Sequence, residues 1–217
     1  MPNQSTEDYI KGIYKLRKRG KAVATSEIAK HLNIGDGSVT DMVKKLSEKK
    51  LLRYKPYRGV DLTDEGRRLA MKMMRRHRLW EMFLVRFLGY TWDEVHDEAE
   101  RLEHVTSDEM ERRLDKALDH PRFDPHGDPI PTADGELKPK VYTSLGEFSE
   151  GDRVKILRVS DDDPAILQHA TKLSLKLNNK ITVKKKLKFD GSMIVKVGAK
   201  EQFISQQLAN SIFVELV

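Results

Sequence analysis

The 217-residue chain contains no cysteine, which excludes disulfides, thiolate-held zinc, iron–sulfur clusters and thiol nucleophiles. Any metal it holds must be bound by oxygen and nitrogen. Long apolar runs are missing too: no eighteen consecutive residues are apolar, and none follow the polar opening MPNQSTEDY, so neither a membrane span nor a secretory leader is expected. These absences point to a cytoplasmic protein with no membrane partner. Proline is scarce and bunched, with five of the eight at 121, 125, 129, 131 and 139; this marks residues 119–142 as an extended connector without regular helix. There is no H-E-x-x-H and no nucleophile motif, so the chain is not expected to be an enzyme.

What is present is charge, and it is segmented. Residues 1–62 carry 14 basic side chains against 7 acidic, residues 63–90 carry 7 against 3, and residues 137–217 carry 14 against 9. The stretch 91–136 reverses the sign, with 5 basic against 15 acidic. A basic head fits a polyanion and an acidic middle fits cations. A length of 217 residues with 38% hydrophobic content is enough for a real core and favours more than one domain.

Apolar periodicity organises the chain. Tyr9, Ile10, Ile13, Tyr14 and Leu16 recur at helical spacing behind Ser5 and Thr6 as cap candidates, and this first helix is expected to end near Gly20. TSEIAKHL predicts a short helix capped by Thr25 or Ser26, NIGDG a turn, and SVTDMVKKLSEKKLL a further helix. Two β-prone runs flanking Pro56 and Gly59 then read as a hairpin, the wing of a winged helix-turn-helix. A long helix follows from Thr63 to Gly89, with two capped helices behind it in TWDEVHDEAERLEHV and SDEMERRLDKAL. Beyond the connector the pattern turns to short β-prone runs at Arg153–Val159, Lys180–Lys186, Met193–Val197 and 212–217, with one helix near 165–175. The expected fold is α+β: a winged helix-turn-helix over residues 1–72, a helical segment with a proline-rich linker over 73–140, and a small barrel-like domain over 141–217.

In a helix-turn-helix the second helix enters the major groove with its N-terminal residues on base edges. Ser38, Thr40 and Asp41 occupy that position, Lys44 and Lys45 lie about a turn further on, and Arg58 and Lys55 of the wing reach flanking phosphates or the minor groove. Alternatively, the lysines form a solvated face and the module contacts protein.

The acidic segment carries the most specific spacing. His96, Glu100, Glu103 and His104 fall at i, i+4, i+7 and i+8, on one helical face. Neighbouring carboxylates in a helix bundle repel unless one takes a proton or a cation sits between them, and imidazole with carboxylate suits a divalent transition metal. His77 and Glu81 form a second pair at i, i+4, which is also an ordinary helical hydrogen-bond spacing. Asp8 carries two readings: Ser5-x-x-Asp8 spells a capping box in which Asp8 stabilises the start of the first helix, and on the residues alone this reading wins narrowly over that of a metal donor.

At these residues the sequence resembles the diphtheria-toxin-repressor and manganese-transport-regulator family of metal-dependent transcriptional regulators. The resemblance runs through TEDYIKGIYKL, SVTDMVKKL, RHRLWE, VHDEAERLEHVTSDEMERRL and PHGDPIP, about 140 residues, and more weakly through a C-terminal part similar to the family's SH3-like (FeoA-like) domain. It implies a primary metal site at Asp8, Glu100, Glu103 and His104, and an ancillary site at His77, Glu81 and His96. Three-domain members imply another ancillary set: Glu81, Asp124 in place of a cysteine, His126, and Asp162 of the run Asp161-Asp162-Asp163. That run also spells a helix cap. Iron- and toxin-regulating members have Met and Cys where this chain has Asp8 and Glu100, so the resemblance implies Mn²⁺, with Fe²⁺ as the alternative. Lys11 stands where compact manganese regulators have a glutamate, which puts a paired-metal site in doubt.

The function expected is a repressor of metal-uptake genes, working as a homodimer on a pseudo-palindromic double-stranded DNA operator. Residues 73–140 would provide dimerisation as well as metal binding, through apolar residues such as Trp80, Phe83, Leu84 and Phe87. Without metal the carboxylates would repel and leave the paired heads misfitted to half-sites roughly 34 Å apart. Two other classes are a metalloenzyme and a winged-helix protein with an organic ligand, which Mn²⁺ dialysis would separate from a metal sensor.

Overall fold

The structure is a computed structural model in which residues 4–17, 21–137 and 141–217 are described. The expected helix end at Gly20, the proline at 139 and the segment boundary at 140 lie outside these residues. By contact the chain divides into two compact units: residues up to His77 with Glu100–Arg112 and Pro131–Leu137, and Arg78–Ala99 with Arg113–Ile130 and Lys138–Val217. The middle segment of the sequence is thus shared between the two.

In the first unit, α1 (Gln4–Leu16) presents Tyr9, Ile10 and Ile13 to the core. Full burial of each isoleucine contributes about 2 kcal/mol. Ser5 and Thr6 lie inside the first turn rather than before it, so the Ser5–Asp8 capping box is not formed. The next helix, α2 (Thr25–Leu32), is also capped one residue earlier than expected: Ala24 is extended, and its backbone N–H donates to Glu27 Oε2 at 3.1 Å. Asn33, left-handed at φ 54°, ends it, as a short polar side chain allows. Gly35 then leads into α3 (Asp36–Glu48), which buries Val39, Val43 and Leu46.

The wing is the antiparallel pair β1 (Leu52–Lys55) and β2 (Gly59–Leu62), with Leu52 opposite Leu62 and Lys55 opposite Gly59. Val23 and Val60 exchange both backbone hydrogen bonds at 2.8 Å, which ties the wing to the chain before α2. At Gly59, φ is +94° and a Cβ would stand 2.6 Å from the Val23 carbonyl oxygen, so no other residue fits without a shift.

Thr63 Oγ1 accepts from the Gly66 N–H and starts α4 (Asp64–Leu88), 25 residues long. Two further helices follow, α5 (Val95–Val105) and α6 (Asp108–Ala117). Thr91 to Glu94 form a turn closed by a 3.1 Å Glu94 N–H bond to the Thr91 carbonyl, so α5 begins four residues later than its sequence signal. Within the first unit, Arg75 and Arg76 of α4 both donate to Glu111 at 3.0 Å and Arg76 reaches Asp108 at 2.6 Å.

The second unit is built on a six-stranded antiparallel sheet with order β3-β8-β4-β5-β6-β7. Its strands are β3 (Thr143–Ser144), β4 (Arg153–Val159), β5 (Lys180–Lys186), β6 (Met193–Val197), β7 (Lys200–Ile204) and β8 (Ile212–Leu216), with α7 (Pro164–Lys172) and α8 (Gln206–Ser211) beside them. Val154, Ile156, Ile181, Val183, Val195 and Ile212 fill its core from alternate positions. Among the described residues of the connector there is no helix. Leu79, Leu118 and Ile130 make a small separate cluster against it. No helix among the described residues is long and apolar enough to cross a membrane.

Candidate metal centres

Carboxylates and imidazoles assemble within each unit. In the first, α1 supplies Glu7, Asp8 and Lys11, α4 supplies His77, and α5 supplies Glu100, Glu103 and His104 at the i, i+3, i+4 spacing that shares a face. Donor atoms of Asp8, Glu100 and His104 all lie within 4.8 Å of one another. His104 Nδ1 is 2.7 Å from Glu7 Oε2, and its Nε2 stands 3.0 Å from Asp8 Oδ1 and 3.7 Å from Glu103 Oε1. That Nε2 is buried and makes no aligned hydrogen bond. A buried imidazole nitrogen facing carboxylate oxygens is a fitting place for a cation.

Glu103 is fully buried. Its Oε2 lies 2.6 Å from His77 Nδ1, and its Oε1 accepts from Lys11 Nζ at 2.7 Å. The same ammonium donates to Glu100 Oε2 at 2.6 Å. Burial works against the Lys11 charge, but the Glu103 and Glu100 carboxylates outweigh it and hold its pKa above the ordinary lysine value. Burial raises the Asp8 pKa; Glu100 and Glu103 add to the rise, and His104 and Lys11 oppose it. Lys11 therefore offsets repulsion between Glu100 and Glu103 that the sequence alone left uncompensated.

In the second unit, Glu81 of α4, His96 of α5, Asp124 and His126 of the connector and Asp161 after β4 converge. Donors of Glu81, Asp124 and His126 lie within 4.8 Å of one another, as do those of Glu81, His96 and Asp161. Glu81, Asp124 and His126 are buried. His126 Nε2 is 2.7 Å from the Trp92 carbonyl, to which it donates, and this turns Nδ1 towards Glu81 Oε2 at 3.8 Å and Asp124 Oδ1 at 4.0 Å. His126 Nδ1 is buried and has no hydrogen-bond partner, so a proton or a metal suits it.

Asp124 is fixed by the loop itself. Its Oδ1 accepts the backbone N–H groups of His126 and Asp128 at 2.9 Å, and Oδ2 lies 3.3 Å from Arg78 Nε. Burial, reinforced by Glu81 and Asp128, pushes its carboxyl up to about 7. Gly127, between these residues, has φ +94°, and a Cβ there would meet the Leu157 carbonyl oxygen at 2.1 Å. The PHG turn is thereby pressed against β4.

Of the aspartate run, Asp161 and not Asp162 is the carboxylate that stands with Glu81 and His96. Asp162 Oδ2 accepts from Ser160 Oγ at 2.6 Å, whereas Asp161 faces Glu81 and His96. Asp163 accepts the Ala165 N–H at 2.9 Å and caps α7, so the three aspartates divide the two roles the run offered. His77 Nδ1 lies 2.6 Å from Glu103 Oε2 in the first unit, and within the second His96 Nδ1 lies 3.8 Å from Glu81 Oε1. Sequence reasoning missed Glu7, Asp161 and the bridging role of Lys11. The signal for the last was the i, i+3 step from Asp8 to Lys11 along α1.

The residues expected to read DNA all lie among the described residues. Ser38, Asp41, Lys44, Lys45 and Arg58 are exposed, and Thr40 is half-buried with its hydroxyl donating to the Asp36 carbonyl at 3.0 Å. Arg58 stands beside fully exposed Tyr57 at the wing tip.

Three family models match the chain: the iron dependent repressor N-terminal DNA binding domain over residues 1–60, the iron dependent repressor metal binding and dimerisation domain over 63–132, and the FeoA domain over 143–216. The iron-dependent repressor IdeR of Mycobacterium tuberculosis H37Rv is 42% identical over 127 residues, 58% of this chain and 55% of that protein. This chain thus aligns with little more than half of its mycobacterial relative. The diphtheria toxin repressor of Corynebacterium jeikeium is 34% identical over 164 residues, covering 74% of this chain and 68% of that one. Among solved structures, a manganese-dependent transcriptional repressor in complex with manganese matches with a TM-score of 0.88 at 36% identity over 98% of this chain and 100% of that one. ScaR with bound Zn²⁺ matches with a TM-score of 0.78 at 36% identity, both chains fully covered. With each segment matched in order, and the helix-turn-helix, wing and paired donor clusters in place, the chain belongs to the family of the diphtheria toxin repressor and the iron-dependent repressors.

Proposed function

We propose that this protein is a cytoplasmic, Mn²⁺-activated transcriptional repressor that binds a pseudo-palindromic operator as a homodimer. The observation that carries this reading is the donor set at α1 and α5: Asp8, Glu100 and the orphaned His104 Nε2 within 4.8 Å, with no sulfur among them. Hard oxygen donors with one imidazole suit Mn²⁺, and the softer Met and Cys of iron-responding relatives are absent. A divalent ion bound there would supply the positive charge that lets the Asp8 and Glu100 carboxylates share one place.

The chain's own residues do the rest. Asp8 lies on the helix that leads into the DNA-reading module, so drawing it to Glu100 and His104 fixes α1 against α5. Glu103 is held by His77 and Lys11 and serves as the buried anchor of that face. Glu81, Asp124, His126 and Asp161, with His96 beside them, form the ancillary site, where Arg78 and two backbone N–H groups orient Asp124. Ser38, Thr40 and Asp41 meet base edges while Lys44, Lys45 and Arg58 hold phosphates. An enzyme reading has no support, because every candidate base is already committed as a donor.

The test is anaerobic fluorescence anisotropy on operator DNA with Mn²⁺, Fe²⁺, Co²⁺, Zn²⁺ and a chelator. Binding with Mn²⁺ that the chelator abolishes is expected, and the pair Asp8→Met with Glu100→Cys should move activation towards Fe²⁺ or Co²⁺. If the double variant keeps the parental order of metals, these positions do not set the response; an Fe²⁺-first order in the parent protein makes it an iron sensor.

A further inference from the structure

The C-terminal sheet carries a charge asymmetry that neither donor cluster uses. Residues 172–200 contain nine lysines and a single acidic residue, Asp190, while the rest of 137–217 has 5 basic side chains against 8 acidic. The lysines are gathered by the pleat. Along β5, Ile181 and Val183 enter the core, which turns Lys180, Thr182 and Lys184 to the other face. Lys180 and Lys184 then stand about 13 Å apart, two pleat repeats. A register shift between Val183 and Lys185 leaves Lys185 exposed as well.

Thr182 pairs with Lys196 of β6, which brings a second strand's ammonium alongside, and Phe203 of β7, opposite Ile194, is 57% exposed on the same face. Among the described residues Lys180, Lys184, Lys185 and Lys196 make no ion pair, although Glu201 stands across from Lys196. Elsewhere in the unit Lys155 and Arg158 are paired with Glu215 and Asp128 at 2.9 and 2.6 Å. A merely solvated face has its signs interspersed; this one concentrates like charges on rigid strands, where their repulsion is relieved by a polyanion.

We propose that the outer face of β5, β6 and β7 is a second duplex-DNA surface, which grips the phosphate backbone. The outward positions of β5 and β6 offer lysine, threonine and isoleucine, and no Arg, Asn or Gln that would hold a base edge through two hydrogen bonds. The contact is therefore electrostatic and independent of sequence. It rests on the reading of the chain as a DNA-binding protein.

The experiment uses the full chain with Mn²⁺ and a mixed-sequence duplex of about 40 base pairs, titrated over a range of salt. Lys180→Glu, Lys184→Glu and Lys196→Glu together should weaken binding at low salt by at least about tenfold and lower the slope of log K against log salt by about 2.7, or about 0.9 for each phosphate left unneutralised. The corresponding triple glutamine variant should show the same direction with an unchanged melting temperature. Lys44→Ala with Arg58→Ala is the independent arm, and its effect should add to the first in log K. An unchanged affinity and slope in the triple variants, with the head variant weakened, overturns the second surface and leaves the helix-turn-helix reading standing. The converse result removes that reading alone. A loss confined to single-stranded DNA, or one accompanied by a changed sedimentation coefficient, also overturns the proposal, because the face then serves a different strand form or another copy of the chain.

Discussion

Lys11 is the residue whose role most changes the physical account of the primary cluster. Its buried ammonium sits 2.6 Å from Glu100 and 2.7 Å from Glu103, so the apo-protein carries a tethered monovalent cation where the acidic groups are densest. Lys11→Met should lower the stability of the metal-free protein by about 3 kcal/mol, because two carboxylates lose a buried partner. Mn²⁺ should then raise the melting temperature of the variant more than that of the parent. Equal stabilisation of both by Mn²⁺ would show that the ammonium and the metal do not share these oxygens. Gly127 gives a second test. Its positive φ, and the Leu157 carbonyl oxygen standing where a Cβ would intrude, predict that Gly127→Ala costs about 1–3 kcal/mol, seen as a lower melting temperature and a displaced Trp92 fluorescence signal.

Among the elements, α3 and the wing carry the clearest prediction. Lys44→Ala and Arg58→Ala should each weaken operator binding and reduce the salt slope by about 0.9, while Asp41→Ala should change base preference with the slope retained. Unaltered slopes would put the phosphate contacts elsewhere. The elements themselves were unevenly legible in the sequence. β4, β5 and β6 lie at the bounds their β-branched alternation indicated, since Ile181, Val183 and Val195 must all enter one core. β7 escaped because KEQFI shows only one buried residue, Ile204, and owes its strand to pairing with β6. The cap of α2 also escaped, since a polar residue in a first turn looks the same in sequence as one before it. The candidate cluster on α5 was legible through helical spacing, which brings Glu100, Glu103 and His104 together locally, while Asp8 entered only through the resemblance. The second cluster was not: Glu81, His126 and Asp161 are joined only by tertiary folding, and a triple aspartate cannot reveal which carboxylate turns inward.

For the whole molecule the prediction is dimeric association without metal. Phe87 and Leu88 at the end of α4 are 53% and 58% exposed, continuous with the Trp80, Phe83 and Phe87 ring contacts at 5.7 and 5.1 Å. Apolar side chains gathered this way favour covering by a second copy. Sedimentation of the metal-free protein should give a dimer at micromolar concentration, and a monomer with or without Mn²⁺ would contradict a switch that sets the spacing of paired heads. The donor clusters have one more consequence. Built from oxygen and nitrogen alone, and set in a chain with no cysteine, they offer peroxide and disulfide-forming oxidants no ligand to convert. The Mn²⁺ response should therefore survive diamide or brief peroxide treatment unchanged, so that the cell reads metal supply through this protein even while its thiol pool is being oxidised.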